Sequence, residues 1–100
     1  MAKVILRQKA IDDLNRIWRY TYQNWSIRQA EKYYSNIKMA CKSIGDNPQI
    51  GKPYFNIKQD LLGFKSAKHI VFYRIISNDE VEVVRILHAQ MDLVRRINEQ

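Results

Sequence analysis

Two histidines and a group of strand-borne cations are the residues with which this sequence could do chemistry. An ordinary imidazole titrates near neutrality, so His88 is of a type that suits a general acid or base. Lys65, Lys68, Arg74 and Arg85 precede it and suit a phosphate. Cleavage of RNA through the 2′-hydroxyl needs those parts: a base, an acid for the leaving oxygen, and cations on the phosphate. Arg74, Arg85 and His88 are therefore the candidate catalytic set, and removing Arg85 or His88 should silence such an activity without unfolding the chain. The set lacks a partner for the histidine. Ala89, Gln90 and Met91 follow His88, and Asp92 lies beyond the strand. A lone titratable group makes no site, so the default for His88 is a structural strand-end residue. His69 reads as a strand-start residue hydrogen-bonded to backbone. The two histidines make no metal site, because zinc needs three or four ligands and Cys41 is remote in sequence. No cofactor is expected.

The elements that must position these residues follow from periodicity. Residues 2–7 read as a short strand around Val4, Ile5 and Leu6. Residues 9–25 read as a helix whose apolar stripe is Ile11, Leu14, Trp18, Thr21 and Trp25, with Asp12 and Asp13 favoured in the first turn by the helix dipole. Ser26 and Gln29 have capping-box spacing and open a second helix. Its stripe is Ile27, Ala30, Tyr34, Ile37, Cys41 and Ile44, with Gly45 as a left-handed cap and Pro48 as a stop. Two helices meeting at Trp25-Ser26 form an antiparallel hairpin. Residues 45–60 read as an irregular crossing. Residues 61–88 read as an antiparallel meander of strands 61–67, 68–76 and 81–88, turning at Ser77-Asn78-Asp79-Glu80. The middle strand is apolar on both faces and should be central. A short helix, about 91–98, closes the chain. The expected fold is α+β, ordered β-αα-βββ-α, a helical hairpin packed on a small, mainly antiparallel sheet. The first strand should join that sheet, in parallel with a neighbour.

Composition limits the partners. The chain's 100 residues make one expected domain, 1–100, with 46% apolar residues, enough for a core. The formal charge of +7 points to nucleic acid, a nucleoprotein machine or an acidic protein. Cys41 stands alone, no stretch is long enough to cross a membrane, and the N-terminus lacks a signal peptide, so a cytoplasmic protein is expected.

Five segments, in order, carry a family resemblance. Asp12-Asp13-Leu14 with Ile17-Trp18-Arg19-Tyr20 resembles the first helix of ParE-type toxins, and Gln29-Ala30-Glu31-Lys32-Tyr33-Tyr34 their second. Asn47-Pro48 with Gly51-Lys52-Pro53 looks like their crossing segment. His69-Ile70-Val71-Phe72-Tyr73-Arg74 is similar to their central strand, and Arg85-Ile86-Leu87-His88 with Met91-Asp92 to their last strand and its exit. The resemblance covers about residues 4–93 and implies the RelE/ParE superfamily, on the ParE-like branch. It implies a type II toxin–antitoxin toxin, bound by a ParD-like antitoxin and inhibiting growth by poisoning DNA gyrase as a stoichiometric inhibitor. RelE-type relatives instead cut messenger RNA on the ribosome, and a relative without toxicity would survive as an antitoxin-binding partner. The missing aromatic acid–base residue after His88 departs from the RelE pattern.

The hairpin surface supplies the binding candidates. Tyr20 and Met39 fall opposite the apolar stripes of their helices and are the expected antitoxin contacts, on one shared patch. Arg95 and Arg96 on the last helix are the expected target contacts. Arg16, Arg19, Arg28, Lys32 and Lys38 form a solvated basic face that would speed docking to an acidic segment or a DNA-bound target.

Overall fold

A computed structural model describes residues 1–99. The chain runs β1 (Lys3–Leu6), α1 (Gln8–Asn24), α2 (Ile27–Asp46), a 3-10 turn (Pro48–Ile50), β2 (Lys52–Pro53), β3 (Leu62–Ser66), β4 (His69–Ser77), β5 (Glu80–His88) and α3 (Leu93–Ile97). The expected α+β order is present with one addition. The crossing segment, read from sequence as irregular, contributes the two-residue strand β2, where Lys52 and Pro53 pair with Gly63 and Leu62. The sheet order is β1-β5-β4-β3-β2. β1 runs parallel to β5, and the other pairs are antiparallel. β4, apolar on both faces, takes the centre.

Local chemistry sets the helix ends. The Ser26 hydroxyl accepts the Gln29 N–H at 3.0 Å, so the hairpin turns at the expected cap. Asn47 caps the 3-10 turn by accepting from Gln49 N–H, and Asp92 caps α3 by accepting from Arg95 N–H. Gly45 departs from expectation. It lies within α2, without a positive φ, and is buried. Its role is close approach: Ala2 N–H donates to its carbonyl at 2.8 Å, and a Cβ there would sit 3.0 Å from Ala2 O and Val4 Cγ2. The crossing is tied down by Tyr73 from β4. Its buried hydroxyl donates to Pro48 O at 2.6 Å and accepts from Gly51 N–H at 2.8 Å.

The sheet has a core on each face. On one, Ala10, Ile37, Ala40 and Ile44 of the hairpin pack on Val71, Tyr73, Val81, Val83 and Ile86. On the other, Leu61 and Ile97 pack on Ile70, Phe72 and Leu87, beneath the crossing segment and α3. The stripe of α1 is rotated from the one read in the sequence. Its buried residues are Ala10, Asp13 and Thr21, flanked by Leu14 and Ile17, whereas Ile11 lies partly exposed and Trp25 is 74% exposed. Two polar residues on the buried side lower its apolar count, so the aromatics beside it look like the inner face. Trp18 instead packs edge-on against Tyr34 of α2, with ring centroids 6.0 Å apart. In α2, Ala40 is buried while Ile27 and Tyr34 are exposed. A register shift between Phe72 and Tyr73 leaves Val84 unpaired in β5, since Phe72 faces Arg85 and Tyr73 faces Val83. Such a bulge re-aims the residues beside it.

Candidate functional site

Arg85 and Asp13 meet where β1 stops. The parallel pairing of β1 ends at Leu6 opposite Val83, so β5 beyond that point has no strand on this side. Helix α1 runs past the open edge, and Asp13 fills it. Its Oδ2 accepts the Ile86 backbone N–H at 3.0 Å and the Arg85 Nε–H at 2.7 Å, while Oδ1 accepts from Arg85 Nη2 at 2.9 Å. The carboxylate thus takes a backbone donor that a strand would otherwise satisfy, and a two-bond guanidinium fork with it. Arg85 Nη1 reaches α3, donating to Arg96 O at 2.6 Å and lying 3.8 Å from Glu99. These bonds hold the guanidinium charged beyond its ordinary range. Both side chains are buried, at 2% and 8% exposure.

A cleft opens above this staple, between the hairpin and the ends of β4 and β5. Its volume is about 480 Å³ and its surface is mainly apolar. Ile17 and Tyr20 of α1, Trp25 at the hairpin tip, Tyr33 of α2 and Met91 after β5 form the walls. Tyr33, His69 and His88 make an edge-to-face series, with centroids 5.9 Å and 5.3 Å apart. Burial, and then the neighbouring His88, lower the His69 pKa from 6.5 to about 4, so its ring is neutral at physiological pH. Its near neighbours are rings, not the backbone partner expected. His88 Nδ1 accepts from Gln90 N–H at 3.1 Å, which leaves Nε2 to carry the proton of the neutral ring. Arg16 and Lys68 add the cleft's cations, and no carboxylate lines it among the described residues. The arrangement suits an apolar side chain flanked by acidic groups.

The sequence-nominated residues are spread over four places. His88 lines the aromatic cleft, while Arg74 and Arg85 line a separate cavity on the α3 face, so no one cavity holds all three. Arg85 cannot be removed without stranding a buried carboxylate, so its loss would report on folding as well as on chemistry. Tyr20 is 63% exposed at the cleft, and Met39 is 65% exposed in a shallow depression with Phe64 and Ser66. The two depressions share no lining residue. Arg95 is exposed on α3. The Arg96 carbonyl belongs to the Arg85 cluster, and its guanidinium lies 3.7 Å from Glu99. Sequence reasoning missed Asp13 as a buried partner and Trp25 as a surface residue. The helix break at Ser26 was the available signal for Trp25, because it puts that side chain at a tip.

The arrangement belongs to a known class. Residues 4–93 match the family model for the ParE toxin of the type II toxin–antitoxin system parDE. Toxin ParE1 of Mycobacterium tuberculosis is 31% identical over 96 residues, covering 96% of this chain and 98% of the relative. Toxin ParE1 of Caulobacter vibrioides is 33% identical, covering 87% and 88%, and Toxin ParE of Escherichia coli is 28% identical, covering 97% and 94%. The chromosomal ParDE system from P. aeruginosa contains a chain of similar fold, with a TM-score of 0.77, 16% identity, and coverage of 90% of this chain and 98% of that one. The chain belongs to the ParE toxin family of type II toxin–antitoxin systems. No helix among the described residues is long and apolar enough to cross a membrane.

Proposed function

We propose that residues 1–100 form one toxin domain that arrests growth in the cytoplasm by binding DNA gyrase, and that a ParD-like antitoxin neutralises it. Family membership over residues 4–93 carries this reading. Stoichiometric inhibition suits a surface of exposed aromatics and cations better than nucleolysis does. Arg85 is committed to Asp13 and Arg96 O, and among the described residues no carboxylate lines the cleft that holds His88. The antitoxin would seat an apolar segment with acidic flanks in the aromatic cleft, with Tyr20 and Trp25 as anchors. Aromatic anchors in a partly preformed groove carry most of the energy of such interfaces. Met39 would meet a second part of the same wrapping segment. Arg95, exposed and free of the staple, is the better target contact of the α3 pair.

Gyrase supercoiling and cleavage assays with the purified chain, run beside mRNA cleavage on programmed ribosomes, test this function. Inhibited supercoiling with intact mRNA is the expected result. Codon-positioned mRNA cuts with normal supercoiling would overturn it in favour of a ribonuclease using His88. Inactivity in both assays, with the antitoxin still bound, would mark a chain that has lost toxicity. For the target surface, Arg95→Glu replaces truncation of α3, because truncation would also remove buried Ile97 and the Arg96 carbonyl. Full gyrase inhibition by Arg95→Glu would eliminate that contact.

A further inference from the structure

A second cavity, of about 400 Å³, opens on the sheet face opposite the hairpin, beside the start of α1. Leu61, Val84 and Ile97 provide its apolar walls. Its cations come from different elements: Arg7 from the β1–α1 junction, Lys9 from α1, Lys58 from the crossing segment and Arg74 from β4. Arg85 lies at the side of the cavity, already committed to Asp13 and Arg96 O. The acidic residue in the lining, Glu99, lies within ion-pair distance of Arg85 and Arg96. Arg7 reaches Glu82 only at 4.0 Å, with more than half of its side chain exposed. Among the described residues, Lys9, Lys58 and Arg74 have no carboxylate within 4.0 Å.

The first turn of α1 faces the same space. Gln8 and Lys9 line the cavity, Arg7 provides no side-chain cap, and the first turn has no acidic residue, because α1 starts at Gln8 and the Asp12 and Asp13 expected there fall in its second turn. The opening amides of a 17-residue helix therefore add donors and a positive dipole end to the four side chains. Like charges gathered over apolar walls repel one another, and an anion relieves that repulsion.

We propose that this cavity binds a phosphate group, carried by a nucleotide or by a nucleic-acid strand. Convergence selects phosphate over an acidic peptide. The cations line one compact space from four elements, whereas a peptide needs an extended groove or a free strand edge for its backbone. Here the open β5 edge is already filled by Asp13. The Arg74 guanidinium fork and the helix amides match the several oxygens of one phosphate. The volume admits a mononucleotide, with its sugar against Leu61, Val84 and Ile97. This site is separate from the aromatic cleft and does not depend on which target the toxin inhibits.

The test is an NMR titration of the ¹⁵N-labelled full chain with inorganic phosphate, a mononucleotide, a short single-stranded oligonucleotide and a polyglutamate peptide. Saturable shifts are expected at the Gln8, Lys9 and Ala10 amides and at Arg74 Nε–H with the phosphate ligands. Arg74→Gln and Lys58→Gln should each weaken binding roughly tenfold, the loss of about one charge-assisted hydrogen bond. Lys42→Gln on α2 should leave it unchanged. A further gain with the oligonucleotide identifies a strand as the ligand, and equal affinities identify a free phosphate or nucleotide. Absence of saturable shifts at the α1 start, unchanged affinity in both variants, or a response to polyglutamate alone would overturn the proposal. Unaltered urea midpoints keep the variant result clear of misfolding.

Discussion

Arg85 and Asp13 are charged residues that the fold buries together, and that sets what their loss must do. Removing one partner of a buried, hydrogen-bonded pair leaves the other without compensation. Asp13→Ala should therefore cost about 3–5 kcal/mol in urea unfolding. Asp13→Ala with Arg85→Met should cost less than the two single changes combined, because no uncompensated charge remains. Additive losses in that cycle would mean the pair is not coupled. Tyr73 makes a smaller, local case. Tyr73→Phe keeps the buried ring but strips partners from Pro48 O and Gly51 N–H, so a loss of about 1–3 kcal/mol is expected. His69 adds a pH dependence. Its folded pKa of about 4 lies below the ordinary 6.5, so the unfolded chain binds more protons between those values. Its contribution makes stability fall as pH drops through that window and level off below it. His69→Phe should flatten this part of the stability profile between about pH 7 and about pH 4, as read from urea midpoints.

At the scale of elements, α1 does the work of a missing strand. β1 is four residues long and leaves about half of β5 without a strand on its outer edge, and the helix that follows presents Asp13 to that edge. The element order and the Ser26 cap were legible in the sequence because their signals are local. Ser26 with Gln29 marked the hairpin turn, and the doubly apolar 70–76 run marked the central strand. β2 was not legible, since its two residues include a proline and form a strand only by pairing with Gly63 and Leu62. Gly45 was misread for a related reason. A glycine near a helix end suggests a left-handed cap, but the packing of Ala2 and Val4 against α2 is what requires it.

Over the whole molecule, the sheet separates two surfaces of different chemistry. The hairpin side carries the aromatic cleft, and the α3 side carries the cationic cavity. Trp25→Ala and Tyr20→Ala should each lower antitoxin affinity about tenfold or more, as measured by calorimetry against the cognate antitoxin. Both side chains are exposed, so the unfolding free energy should change by less than about 0.5 kcal/mol. Unchanged affinity in both variants would remove the cleft from the interface. The net charge of +7 adds a salt signature. The association rate with an acidic antitoxin should fall as ionic strength rises, while the dissociation rate changes little.

The sequence by itself determined the helical hairpin, the meander, the central strand and the family pattern, because each is encoded by neighbours a few residues apart. Tertiary structure decided which charges are structural and which are free. Asp13 and Arg85 lie 72 positions apart, and a buried charge looks like a solvated one to any count of apolar periodicity. The staple, the aromatic cleft and the cationic cavity each draw groups from at least three elements. Their chemistry arises from the distances between those elements, and the parallel docking of β1 beside β5, with α1 crossing its open edge, sets those distances.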